Sequence, residues 1–240
     1  MLNRNLHLLT LIVGIWVATS CNTQTQKQAP KTEKKTEKQV PSSKTFTIPA
    51  GGLFVTFMGE RKPGTDKLLE AYFEEVLPIT AKHGGVSLGT LTMDKVAYGN
   101  YPATDWIGMF GWPDGESAQA FGTEVNPDRL DQLRRPIWNQ LKIFINPMPD
   151  TFSFTLSEGK MYEYKILWGN EAEVENYLHI LTGKSVFILP VVHYEELQPD
   201  QKPSFIALIE WESEENAVKA LTKSSIKRQE SFFTHFVKEQ

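Results

Sequence analysis

The chain has 240 residues, 40% of them hydrophobic, with 29 acidic and 25 basic side chains for a net charge of −4. Arg4 and the stretch 22–45 (net +4) hold much of the positive charge, which leaves the rest at −9. An acidic body excludes the basic footprint of a nucleic-acid binder. A single cysteine, Cys21, excludes an internal disulfide, so folding must rest on apolar packing.

Residues 1–20 read as a secretory signal. Arg4 supplies the positive start, Leu6 to Val17 an apolar run, and Ala18-Thr19-Ser20 the small residues before Cys21. The run has about 12 residues where a spanning helix needs about 20. Small residues directly before a cysteine resemble a bacterial lipobox, with Ala18 where a Leu is usual. The resemblance implies cleavage before Cys21, acylation of its sulfur with diacylglycerol and palmitate-type chains, and anchoring to a membrane of the cell envelope, facing the periplasm. Two or three acyl chains give stable anchoring. Residues 21–45 are rich in Gln, Thr, Lys, Glu and Pro and lack the apolar surface to offset chain entropy, so they are expected to be a disordered tether.

The body divides into residues 46–157 and 158–240. In the first part Leu53 to Met58 reads as a strand and Thr65 to Lys82 as an amphipathic helix, capped by Thr65 or Asp66 and ended by Gly84-Gly85. Val86 to Tyr98 is a second strand region, and Trp106 to Trp112 a strand leading into a helix. The segment from Asp128 to Leu141 reads as helix, and Phe152 to Leu156 as the strand that completes this part. In the second part Met161 to Trp168, Val186 to Tyr194 and Phe205 to Trp211 read as strands, with a helix over Glu171 to Leu181. A last strand near Phe232 to Val237 is not fixed by the pattern.

The two parts repeat each other. At a constant offset of 99, Ile107 matches Ile206, Trp112 matches Trp211, Glu116 matches Glu215 and Ala118 matches Ala217. Each gives the β-α-β-β-α order of a split βαβ unit. The third strand of each is apolar on both faces, so both faces are buried; helices cover one, and the other half's sheet is the simplest cover for the other. The expected fold is therefore α+β: two tandem ferredoxin-like halves forming an intramolecular pseudo-dimer, which permits a monomer.

His83-Gly84-Gly85 after the first helix, then Gly99-Asn100-Tyr101-Pro102, an apolar strand and the helix start Glu116-Ser117-Ala118, resemble the dimeric α+β barrel superfamily. The likeness is to its small stand-alone domains of unknown function with a His-Gly-Gly motif. It covers roughly residues 51–145 well and 160–240 weakly, where Thr182-Gly183-Lys184 replaces the motif. Other branches of that superfamily include cofactor-independent monooxygenases, lactone isomerases and haem-handling enzymes, so fold alone does not fix function.

Candidate chemistry is sparse. His83 is the best single base or ligand, though a helix C-terminus also suits it. Glu210, inside an apolar strand, is a second acid/base candidate. Gly108 and Gly111, set among Trp106, Phe110 and Trp112, could leave space for a flat apolar ligand; a tight bend or close sheet packing is the commoner cause of such glycines. Arg134-Arg135 and Lys227-Arg228 could bind an anion or simply face solvent. His179, His193 and His235 show no metal-ligand spacing, so no metal and no cofactor is expected. The leading expectation is a non-enzymatic, membrane-tethered domain that binds a small apolar or aromatic molecule between its halves. The alternatives are a monooxygenase- or isomerase-like enzyme and a protein-interaction module.

Overall fold

The computed structural model describes residues 42–102, 104–181, 183–197, 201–221, 226 and 228–237. The signal, Cys21, the tether to residue 41, Lys227 and Thr182 lie outside the described residues. No helix among the described residues is long and apolar enough to cross a membrane.

The first half starts with strand β2 (Leu53–Arg61), which alternates Phe54, Thr56 and Met58 on one face with Val55 and Phe57 on the other. Helix α1 (Asp66–Lys82) buries Tyr72, Val76 and Thr80 along one stripe. Thr65 does not cap α1 through its side chain; its hydroxyl donates instead to the Lys62 carbonyl at 2.7 Å. His83 is the C-terminal cap, and Gly84, at φ +77°, turns the chain out of the helix. Strands β3 (Val86–Tyr98) and β4 (Trp106–Trp112) come next, then helices α2 (Gly115–Val125) and α3 (Pro127–Arg134). Asp114 caps α2 by accepting from the Ser117 amide, and Asn126 caps α3 by accepting from that of Asp128.

Three assignments from the pattern need correction here. The helix expected to run to Leu141 stops at Arg134, because Pro136 has no N–H to continue it. The next element is β5 (Trp138–Pro147), the true last strand of the first half. The segment Phe152–Ser157, expected in that place, is β6 and pairs only with β1 (Ser43–Ile48). Ser43, Lys44 and Thr45, read as the end of the tether, therefore belong to a strand.

The second half repeats the first. It runs β7 (Met161–Trp168), α4 (Glu171–Ile180), β8 (Lys184–Pro190), β9 (His193–Glu196), β10 (Phe205–Trp211), α5 (Glu214–Leu221) and β11 (Arg228–Val237). β11 is the last strand that the sequence pattern leaves unplaced. A reciprocal capping box between Asn170 and Glu173 starts α4. β4 and β10 start and end 99 residues apart, which is the offset of the repeat.

All pairings in the main sheet are antiparallel, in the order β8-β10-β7-β11-β3-β4-β2-β5-β9. Within it, β3-β4-β2-β5 and β8-β10-β7-β11 have the same internal order, that of a ferredoxin-like unit. The halves join where β11 pairs with β3. They join again where β9 pairs with β5. Because β8 and β9 are consecutive in the chain, separated by Val191 and Val192, the first and last strands of the order meet and the sheet closes on itself. Between the two seams, β10, β7, β11, β3, β4, β2 and β5 each have a partner on both sides.

Apolar side chains from both halves meet in the interior. Phe54, Met58, Ile107 and Met109 of the first half pack with Tyr164, Ile206 and Phe232 of the second. The β1/β6 ribbon adds Phe46, Ile48, Phe154 and Leu156 to the same core. Phe154 touches the rings of Phe54 at 5.4 Å and Phe187 at 5.6 Å, so the ribbon grips both halves. Its outer face is a ladder of hydroxyl pairs: Ser43 with Ser157, Thr45 with Thr155 and Thr47 with Ser153. Separate apolar clusters lie under the helices of each half.

Candidate ligand site at the seam between the halves

The β5/β9 seam sets Lys142 directly opposite Glu196, and Phe144 opposite Tyr194. Lys142 is only 4% exposed, and a buried ammonium needs charge and hydrogen-bond partners to persist. It donates to Tyr194 Oη at 2.9 Å and lies 3.6 Å from Glu196 Oε1. Its charge also lies 5.2 Å from the ring centre of Tyr101 and 5.6 Å from that of Tyr194, within cation–π range.

Tyr101 reaches this point from the segment between β3 and β4. Its backbone N–H donates to Glu230 Oε2 at 3.0 Å, and its ring meets that of Phe232 edge-on at 5.9 Å. Glu230 and Phe232 are both on β11, so Tyr101 belongs to both seams. Gly99, at φ +102°, permits the approach: a Cβ there would overlap the Glu230 carboxylate.

Two oxygens of this cluster are buried without a hydrogen-bond partner: Tyr101 Oη and Glu196 Oε2. Tyr101 is 7% exposed and the Glu196 side chain 10%. An unsatisfied buried polar atom costs about 1–3 kcal/mol, and in native proteins it commonly marks a bound water or ligand. Burial pushes the Tyr101 phenol well above its usual value, helped by the negative charges of Glu196, Glu60 and Glu230. It is thus a neutral donor at any physiological pH. The seam presents a donor, an acceptor and a fixed cation between aromatic rings, with Phe144 stacked on Tyr194 at 5.4 Å.

The residues singled out from sequence do not assemble into a site. His83 Nε2 is 2.7 Å from Glu124 Oε2 on α2, in the helix layer. Lys82 first, then His83, holds the Glu124 carboxyl below the usual carboxylate range. Glu210 instead forms an ion pair with Lys160 at 3.0 Å. Trp106, Gly108, Phe110 and Trp112 face the helices, while Gly111 faces the interior. The space expected at Gly108 is filled by Phe57, whose ring would lie 2.3 Å from an added Cβ. That at Gly111 is filled by Leu88 and Ile48, at 3.5 and 3.6 Å. Trp106 packs on Phe57 at 5.0 Å, Phe110 on Phe57 at 5.7 Å and Trp112 on Phe121 at 5.1 Å. Trp112 is buried, and Trp106 and Phe110 are half-buried in these ring contacts. The two arginines diverge, Arg134 toward Glu195 at 3.7 Å and Arg135 toward Asp131 at 2.5 Å, so they do not form one anion site.

A second buried polar group lies under the helices of the second half. Lys165 Nζ donates to Glu163 Oε1 at 2.6 Å, with neither side chain exposed at all. Trp211 Nε1 donates to Glu163 Oε2 at 2.8 Å, and the Ser231 hydroxyl also donates to that carboxylate. The Lys165 charge lies 5.4 Å from the ring centre of Tyr177. Burial pushes the Lys165 amine down, against the pull of Glu163. Elsewhere, an open surface groove is lined by Arg61, Lys62, Asp66 and Asp105, with Arg61 already paired to Asp66 at 2.8 Å. Among the described residues no group of three or more His, Cys, Asp or Glu could hold a metal ion. The exposed large apolar side chains on helices are spread out: Leu68 and Leu77 on α1, Ile180 on α4 and Val218 on α5.

No family model and no curated protein matches the sequence. Solved structures do match in fold. An anthrone oxidase-like protein is similar over 81% of this chain and 95% of its own, at 11% identity and a TM-score of 0.52. A variant chlorite dismutase from Candidatus Nitrospira defluvii aligns over 80% of this chain and 93% of its own, at 11% identity and a TM-score of 0.44. At such identity the first likeness is one of fold: the dimeric α+β barrel, with both ferredoxin-like halves in one chain.

Proposed function

We propose that this protein is a lipoprotein of a bacterial cell envelope, acylated on Cys21 and facing the periplasm, whose barrel binds a small molecule where its halves meet. The single observation that carries the binding site is the pair of partnerless buried oxygens, Tyr101 Oη and Glu196 Oε2, beside Lys142. The expected location between the halves is kept; the lining moves from Gly108 and Gly111 to the seam. The lipid anchor is supported by the signal-like residues 1–20 and by the lone cysteine directly after them.

Two measurements test these parts separately. Labelled palmitate should enter the full chain made in a Gram-negative host and not its Cys21→Ala variant, which should leave the membrane fraction. Equal labelling of both would rule out the anchor. Native mass spectrometry of the full chain released from detergent should show a co-purifying small mass that Tyr101→Phe reduces. A bare mass, with no shift on exposure to small phenols or alcohols, would rule out the binding site.

A second reading is an enzyme of the monooxygenase or isomerase kind, supported by the likeness to an anthrone oxidase-like protein. Its acid/base groups would be Tyr101, Lys142 and Glu196, since His83 and Glu210 are tied up elsewhere. Turnover of a molecule found bound at the seam would favour it over simple binding.

A further inference from the structure

We infer that the seam site takes a neutral hydroxyl group, that of an alcohol or a phenol, on an apolar body; this rests on the seam reading above. The two unpaired oxygens have opposite needs. Tyr101 Oη carries a proton to donate, and Glu196 Oε2 is a carboxylate oxygen that can only accept. A single hydroxyl answers both, because it accepts from the phenol with its lone pairs and donates its own hydrogen to the carboxylate. An ether answers only the first, and a carboxylate or ketone likewise.

Charge narrows the class further. Glu60, Glu196 and Glu230 all act on the Tyr101 phenol as negative charges, with Lys142 the cation within reach of its ring. An anionic ligand would meet net repulsion. A cationic one would want the faces of Tyr101 and Tyr194, but the Lys142 ammonium already lies against both. A neutral group is left. The rings beside the polar groups are apolar neighbours for a hydrocarbon body, with Phe232 edge-on to Tyr101 and Phe144 stacked on Tyr194. Removing either polar group should hurt discrimination most, because a site built to hydrogen-bond a hydroxyl rejects the analogue that lacks it by leaving its own groups unpaired.

The experiment is ligand-observed NMR titration of the full chain in detergent with phenol, anisole and benzoate, repeated on Tyr101→Phe and Glu196→Gln. Phenol should bind at least tenfold tighter than anisole, with benzoate weaker still, and each variant should lose most of the preference for phenol over anisole. The Tyr101→Phe change removes a hydroxyl that has no partner, so it should fold, and circular dichroism checks this. Anisole or benzoate binding as tightly as phenol, in a way that Tyr101→Phe still weakens, would overturn the hydroxyl class and leave the seam site standing. Binding of none of the three, or binding that neither variant alters, would overturn both and leave the unpaired oxygens to a water.

Discussion

Thr56 and Tyr164 hold matching positions in the two halves and hydrogen-bond to each other across the barrel at 2.7 Å. Thr56 pairs with Met109 and Tyr164 with Leu208, and those two are related by the repeat offset. The contact lies where the inner faces of β2 and β7 meet, and both groups are completely buried. Thr56→Val should leave the phenol unpaired at a cost of about 1–3 kcal/mol, and Tyr164→Phe should strand the threonine hydroxyl at a similar cost. The double variant should lie closer to the wild type than either single, because no orphan is left. Urea denaturation of the four proteins decides this; additive losses would mean that the bond does not join the halves energetically.

Alkaline pH should weaken the fold through the same phenol. Burial raises the pKa of both Tyr164 and Tyr101 above the ordinary value of 10.0. Between that value and the raised ones the unfolded chain has released these protons while the folded chain keeps them. The folded state then binds more protons, so stability falls as pH rises above 10.0, by about 1.4 kcal/mol per unit for each phenol. The Thr56→Val/Tyr164→Phe variant should show a shallower fall in denaturation midpoint above that pH. An unchanged slope would remove Tyr164 as a cause.

Gly108 exists for the ring beside it. An added Cβ would lie 2.3 Å from Phe57 Cε1, and that ring is held by Trp106 and Phe110. Gly108→Ala should therefore destabilise by about 1–3 kcal/mol through overpacking, and Phe57→Leu in the same chain should recover part of it. Thermal melts of the single and double variants test this. A neutral Gly108→Ala would show that the ring has room to move and would reopen the idea of ligand space on this face.

The repeat and the apolar third strands made the fold legible, since β4 and β10 keep their register at both ends. β5 was not legible. Its inner positions are Lys142, Phe144 and Asn146, a mix that spoils the alternation by which strands are read. Pro136 was the signal for the end of the helix before it. The candidate site at the seam was hidden for the same reason: Lys142 and Glu196 look like surface residues until β9 is brought against β5. Tyr101 stood inside a noted motif, Gly99-Asn100-Tyr101-Pro102, but nothing local says that its hydroxyl points away from water. The aromatic strand drew attention because Gly108 and Gly111 suggest empty space, and the space was occupied by Phe57, Leu88 and Ile48, each distant in sequence.

The halves differ most under their helices. Strand pairing matches Phe57 with Lys165 and Val55 with Glu163, so an apolar layer in the first half corresponds to a buried ion pair in the second. Lys165→Met should cost about 3–5 kcal/mol by leaving the Glu163 carboxylate buried without its cation, whereas Glu163→Leu/Lys165→Met should cost much less or stabilise. The pH response separates the two as well. A lysine pushed below 10.5 binds fewer protons folded than unfolded up to that pH, so it adds a rise of stability with pH across the interval. Both variants should lose that rise. A Lys165→Met protein as stable as the wild type would mean that Trp211 and Ser231 alone satisfy the carboxylate.

Closure of the sheet makes each half depend on the other. Alone, residues 42–157 would expose the free edges of β3 and β5 and the inner face carrying Phe54, Met58, Leu91 and Phe144. Such edges and faces seek partners. In the whole chain β3 pairs with β11, and β11 holds in the second half the place that β5 holds in the first. Two copies of the first half can therefore close a barrel by pairing β3 of one with β5 of the other, in both directions around a two-fold axis. Size-exclusion chromatography with light scattering should give a dimer for residues 42–157 and a monomer for the chain with both halves and Cys21→Ala. A stable, folded monomer of the first half would show that its inner face is satisfied without a second sheet, and the account of the barrel as the source of stability would fail.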